Sequence, residues 1–192
     1  MKYTPNRSGH IADAVVFVCI ASAVVMFLAN RIQASSGALL QLLSVVFLTA
    51  GLYVLIRYKL MGFQYIIRVR NAEENGYSAI TDYDFVVERV QGSRISAECR
   101  LSLGDLIEVS ALPVKGGRGR EAIKKYGKSL RMYYYTVNMM PPEPYLLAFR
   151  DHSGASEDTV IGILFEPDKK MAEYLKNAVT QVDSMNHRTE EQ

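Results

Sequence analysis

The sequence predicts a membrane α-hairpin followed by a mainly β domain of seven antiparallel strands capped by a C-terminal helix. Three observations predict it. Two apolar runs, Ile11–Ala29 and Ala38–Ile56, flank a short polar turn. Short segments rich in β-branched and aromatic residues then alternate with Gly, Pro and Asn turns. A single stripe at helical spacing closes the chain.

Each apolar run has 19 residues, or roughly 28 Å of helix, enough to cross the hydrocarbon core. Hydrocarbon offers the backbone no hydrogen-bond partner, so both runs are expected as helices. A cleaved signal peptide has a shorter apolar region and no second span. Asp13 sits near the start of the first run and Gln41, Ser44 and Thr49 interrupt the second. At that depth Asp13 is expected to reach water or face Arg7 rather than act as an intramembrane carboxylate. Gln41 and Ser44 are placed to hydrogen-bond across the hairpin. Lys2 and Arg7 precede the first helix, and Arg57, Lys59, Arg68 and Arg70 follow the second; the turn holds Arg31 alone. The Lys/Arg bias predicts a multi-pass cell-membrane protein with both termini cytoplasmic and residues 30–37 outside.

The 192 residues and net charge of +2 fit a hairpin in residues 1–60 and one domain in 61–192. So small a net charge makes nucleic acid an unexpected partner. Cys19 falls in the first helix and Cys99 on a strand, so no disulfide is expected.

Strands are expected at Phe63–Arg70, Ala79–Val90, Ile95–Leu103, Leu106–Leu112, Ser129–Asn138, Tyr145–Arg150 and Val160–Phe165. Asn75-Gly76, Gln91-Gly92-Ser93 and Pro141-Pro142-Glu143-Pro144 mark turns. Ile95, Ala97, Cys99, Leu101 and Leu103 alternate with polar residues, the pattern of a half-buried strand. Val160–Phe165 is apolar enough to be buried on both faces. After Pro167, Met171, Tyr174, Leu175, Ala178, Val179 and Val182 form one apolar helical stripe.

The stretch "SRISAECRLSLGDLIEVSAL" resembles the strand–"L-x-D-I-x-x-V"–strand signature of bacterial pleckstrin-homology-like (PH-like) domains, and "VIGILFEPDKKMAEYLKNAV" is similar to their last strand and helix. The resemblance covers about residues 61–186. It implies that the seven strands form a partly open antiparallel barrel plugged by the helix, and it implies binding or scaffolding rather than chemistry. Lipid-binding PH domains place basic residues in the loop between their first two strands. Here that loop, residues 71–78, is acidic through Glu73 and Glu74, so phosphoinositide binding does not carry over.

No catalytic residue, metal site or cofactor is expected. His10, His152 and His187 are scattered, and no phosphate loop or Gly-x-Ser-x-Gly is present. Asp82, Asp84 and Glu88 lie at even spacing on one strand and read as a solvated face. Asp151-His152-Ser153 are adjacent and cannot converge as a triad does. The candidate contact surface is the basic loop, with Lys115, Arg118, Arg120, Lys124, Lys125 and Lys128 against Glu121 alone. It is open to three readings: a solvated loop, contact with anionic headgroups, or contact with nucleic acid or an acidic protein. If Ser102–Asp105 reverses the chain, alternating strands put this loop on the membrane side. The expected partners are the bilayer and a second copy or another membrane protein. The leading expectation is a binding or scaffold module at the inner membrane surface. The alternative is an accessory subunit of a larger membrane enzyme or transporter.

Overall fold

The computed structural model describes residues 1–30, 37–69, 82–112, 124–152 and 159–190, with Asn30, Lys128 and residues 186–190 as backbone only. The chain divides into two compact units. One comprises Met1–Asn6, Phe63–Val137 and Pro141–Gln192; the other comprises Arg7–Gly62 and Asn138–Met140.

The second unit is the hairpin. Helix α1 spans His10–Asn30 and α2 spans Gly37–Leu55, with a π-helical turn at Ile56–Leu60. Both helices are long and apolar enough to cross a membrane. Large apolar side chains point outward, among them Phe17, Val25, Leu39 and Leu42. Small residues fill the inside: Ala12, Ala23, Ser44 and Gly51 are buried. The helices approach closely at Gly51, where an added Cβ would lie 3.0 Å from the Cys19 Cβ. Close backbone approach at small residues is how helices associate without a hydrophobic drive. Thr49 returns its hydroxyl to the carbonyls of Val45 and Val46.

The first unit contains two four-stranded sheets and a helix. In the first sheet, β1 (Lys2–Tyr3), β2 (Met61–Val69), β3 (Tyr83–Gln91) and β4 (Arg94–Ser102) lie side by side in chain order. In the second sheet the order is β5 (Leu106–Ala111), β7 (Tyr145–Arg150), β8 (Val160–Phe165), β6 (Leu130–Tyr134). A 3-10 turn at Leu103–Asp105 carries the chain from one sheet to the other. Helix α3, Lys169–Glu190, follows.

Three expectations are corrected here. The sheets do not close into a barrel. The described residues hold eight strands rather than seven, because Lys2–Tyr3 pairs antiparallel with Tyr65 and Ile66 of β2. The second sheet is mixed, because β6 runs parallel to β8 while β5 and β8 flank β7 antiparallel. The last two features come from pairings distant in sequence, which a local period of two does not encode. The strand expected over Ser129–Asn138 is shorter, and residues 79–81 of the second expected strand lie outside the described residues.

Apolar side chains from both sheets and α3 make one core. Tyr65, Phe85, Leu147, Phe149, Ile163, Phe165, Met171 and Leu175 are fully enclosed, each contributing about 1.5–3 kcal/mol by transfer from water. Tyr65 is its polar pivot. Its hydroxyl donates to the Tyr135 carbonyl at 2.9 Å and accepts from the Glu166 N–H at 3.2 Å. Asp168 caps α3, accepting from the Met171 N–H at 2.8 Å, which satisfies an otherwise orphan donor. As expected, β8 is buried on both faces. Its outer face is covered by a smaller cluster in which Leu130 and Met132 pack on Leu112, Leu146 and Leu164. Glycine at 162 makes the room: a Cβ there would lie 2.5 Å from the Met132 Sδ.

Candidate functional site

The basic loop can be followed only in part. Lys115, Arg118 and Arg120 lie outside the described residues. Lys124 is exposed in a helical turn, and Lys128 belongs to a 3-10 turn at Gly127–Ser129 whose first residue has φ +61°.

Lys125 is not a free cation. Its Nζ donates to Glu108 Oε2 at 2.5 Å, and the Tyr126 hydroxyl donates to the same oxygen at 2.5 Å. Lys125 also lies 5.3 Å from the centre of the Tyr126 ring. Burial opposes ionisation of Glu108, but the two hydrogen bonds and the ammonium charge outweigh it and hold the carboxyl below its ordinary value. The bond to Glu108 raises the Lys125 pKa. Burial first, and then Glu108, raises that of Tyr126. These groups edge a recess of about 180 Å³ with Ser110, Ala111, Leu112 and Leu146. Both donors converge on one oxygen of its carboxylate, Oε2. The arrangement moors the descending end of the basic loop to β5.

The acidic strand face differs from expectation. Asp84 is buried, not solvated, and pairs with the Arg100 Nε at 2.5 Å. Gln64 donates to Glu88, and Arg89 pairs with Glu98 at 2.9 Å. Arginine thus balances the charge of Asp84 and Glu98, while Glu88 keeps its charge and accepts a neutral amide hydrogen bond. Asp151 is buried near Arg131, and His152 Nε2 meets Asp105 Oδ1 at 3.1 Å. Among the described residues no three His, Cys, Asp or Glu side chains could hold a metal ion. Both cysteines are free, and burial pushes the Cys99 thiol up to about 11, far from the thiolate that reacts.

A polar knot occupies one end of the hairpin. Lys59 Nζ pairs with Asp13 Oδ1 at 2.6 Å, and Arg7 donates to the Lys59 carbonyl. Lys59 passes over Gly9, where a Cβ would lie 2.8 Å from its Nζ. Asn138 Oδ1 accepts from the Ser8 N–H at 2.6 Å and from its hydroxyl at 3.0 Å. The partner of Asp13 is therefore Lys59 rather than the expected Arg7. Sequence named Lys59 only as a flanking charge and gave Glu108 and Asn138 no role, since each bond joins positions with no periodic relation.

No protein-family model, curated protein or solved structure matches this chain.

Proposed function

We propose that this chain is an integral membrane protein whose two helices hold a PH-like β domain at the inner surface of the cell membrane. There the domain is a binding or scaffold module, and its basic segment 113–128 touches anionic headgroups. The observation that carries this reading is the hairpin with its charged end. Apolar side chains face outward along both helices, and Asp13, Lys59 and Arg7 gather where α1 begins and α2 ends. A carboxylate close to hydrocarbon needs such a partner. Pairing of Lys2–Tyr3 with β2 supports placing the N-terminus and the β domain on one side. The excess of Lys and Arg at that end supports the inner side. Two stacked sheets with a helix in their core support the PH-like resemblance, while the open edges and the parallel β6–β8 pair depart from it.

Trypsin tests the lipid contact, because its cleavage sites are the residues in question. The full chain in nanodiscs of phosphatidylcholine, with or without phosphatidylglycerol, is digested at low and moderate salt. We expect phosphatidylglycerol to slow cutting within 113–128, and salt to restore it, since exposed charges are screened over about 10 Å at 0.1 M. Equal cutting in both lipids would remove the basic segment from the reading.

A further inference from the structure

Strand β4 ends the first sheet, and among the described residues no strand pairs with its outer edge. Arg94, Ile95, Ser96, Ala97 and Glu98 are all exposed, Ile95 by 57%. The expectation of a half-buried strand therefore holds only from Cys99 onward. The register shift between Val87 and Glu88 explains the change. Cys99 and Leu101 pair with Val87 and Phe85 of the core, whereas Ala97 and Ile95 pair with Glu88 and Val90 on the opposite face of the sheet. Tyr135 borders the strand beyond the shift, where burial, and then Cys99 and Glu98, push its hydroxyl up to about 12. The open edge is the half before it.

The turn decides which backbone groups that edge presents. Gly92, at φ +60°, and Ser93 form a two-residue turn between the paired residues Gln91 and Arg94. Such a turn closes on a hydrogen-bonded pair, and antiparallel pairs alternate from there. Gln91–Arg94 and Arg89–Ser96 thus carry the ladder bonds. Ile95 and Ala97, opposite Val90 and Glu88, point their N–H and C=O groups away from β3. Unpaired groups in such a row are a template for another strand. Side-chain charge selects the strand that fits. Ser96 lies opposite Arg89, and the Arg89 Nε pairs with Glu98 at 2.9 Å. Arg94, Ser96 and Glu98 therefore share one face, a cation and an anion on either side of a small hydroxyl.

We propose that β4 pairs antiparallel with β4 of a second copy of this chain, about a twofold axis at Ser96. Ile95 of each copy then lies opposite Ala97 of the other, and these pairs exchange the backbone bonds that β3 leaves open. Arg94 of each copy faces Glu98 of the other, an opposite-charge pair at both ends of the ladder. A ladder centred on Ala97 would instead set Arg94 against Arg100, and like charges directly opposite repel. The symmetric pairing consumes both open edges and closes as a dimer. The register shift at Glu98 keeps the ladder short, so association is weak and concentration-dependent. The contact needs neither the membrane placement nor the basic segment, and it stands or falls separately from them.

Cysteine trapping tests the register. The full chain with Cys19→Ser and Cys99→Ser is purified in detergent, and Arg94→Cys, Ile95→Cys, Ser96→Cys and Ala97→Cys are added singly and oxidised with copper–phenanthroline. At the axis two Ser96→Cys side chains form a close cross-strand pair within disulfide reach. Position 94 and its own counterpart are offset by about four residues, roughly 13 Å along the strand. We expect Ser96→Cys to give covalent dimer at least about fivefold faster than the other three. Adding Arg94→Glu should slow it, by placing like charges opposite each other. Adding Ala97→Pro should abolish it with the near-ultraviolet circular dichroism unchanged, since that N–H takes no part in the β3 ladder. Equal rates at all four positions would reduce the contact to collision and overturn the pairing. A preference for Ile95→Cys or Ala97→Cys would overturn the register. Fast trapping of Ser96→Cys that neither Arg94→Glu nor Ala97→Pro slows would overturn the proposal as well.

Discussion

Glu108 shows how one carboxylate can turn a loop end into structure. It joins residues 17 and 18 positions apart and spends its charge on Lys125 and Tyr126. Because Lys125 is 60% exposed, Glu108→Gln should cost only about 0.5 kcal/mol in urea unfolding. The sign with pH is defined. The Glu108 pKa is lowered on folding, so its contribution is present above the ordinary value of 4.5 and is lost as pH falls through the lower folded value. The stability gap between wild type and Glu108→Gln should therefore shrink below pH 4.5 and widen toward neutrality. At the alkaline end the raised Tyr126 and Lys125 values act in the opposite sense, and their contribution fades as pH rises through the folded values. Asp84 is a costlier site, buried against a half-exposed Arg100. Arg100→Ala should cost about 2 kcal/mol, because it strips a buried carboxylate of its guanidinium.

Glycines decide packing at the scale of elements. At Gly162 the nearest obstacles are the ends of Met132 and Leu130, which can swing aside. Gly162→Ala should change stability by less than about 1 kcal/mol, whereas Gly162→Val should cost about 1–3 kcal/mol by overpacking. In the hairpin, Gly51 faces the Cys19 Cβ, which cannot swing. Gly51→Val should part the helices and lower the melting temperature of the hairpin in detergent.

The elements were largely legible, and their assembly was not. Both helices and most strand bounds follow from apolar length and from period two, because each is a local pattern. Strand β1 was not legible, since two residues carry no period and its partner lies some sixty positions away. The same limit hid the parallel β6–β8 pair. Burial of Asp84 was misread for a related reason: alternation tells which residues share a face, not whether that face meets water. Of the basic cluster, composition identified the charges, but only the fold shows that Lys125 is already neutralised. The exposed half of β4 ran the other way, since its apolar alternation looked like core and is surface.

For the whole molecule, the account rests on a hairpin that returns the chain to the side it left. The Asp13–Lys59 pair lies where both helix ends meet. On the proposed membrane reading, Lys59→Ala should strip Asp13 of its ammonium partner and reduce the fraction of chain recovered in carbonate-washed membranes. Asp13→Asn should be tolerated better, because it removes the charge rather than its partner. The most direct test uses a chain with Cys19→Ser and Cys99→Ser, carrying a single cysteine either as Ser36→Cys, between α1 and α2 in sequence, or as Ser184→Cys on α3. An impermeant maleimide is applied to intact cells and then to lysed ones. The account predicts labelling of Ser36→Cys in intact cells, and of Ser184→Cys only after lysis. Labelling of Ser184→Cys from outside, or of both positions only after lysis, would contradict a hairpin that holds the β domain at the inner surface.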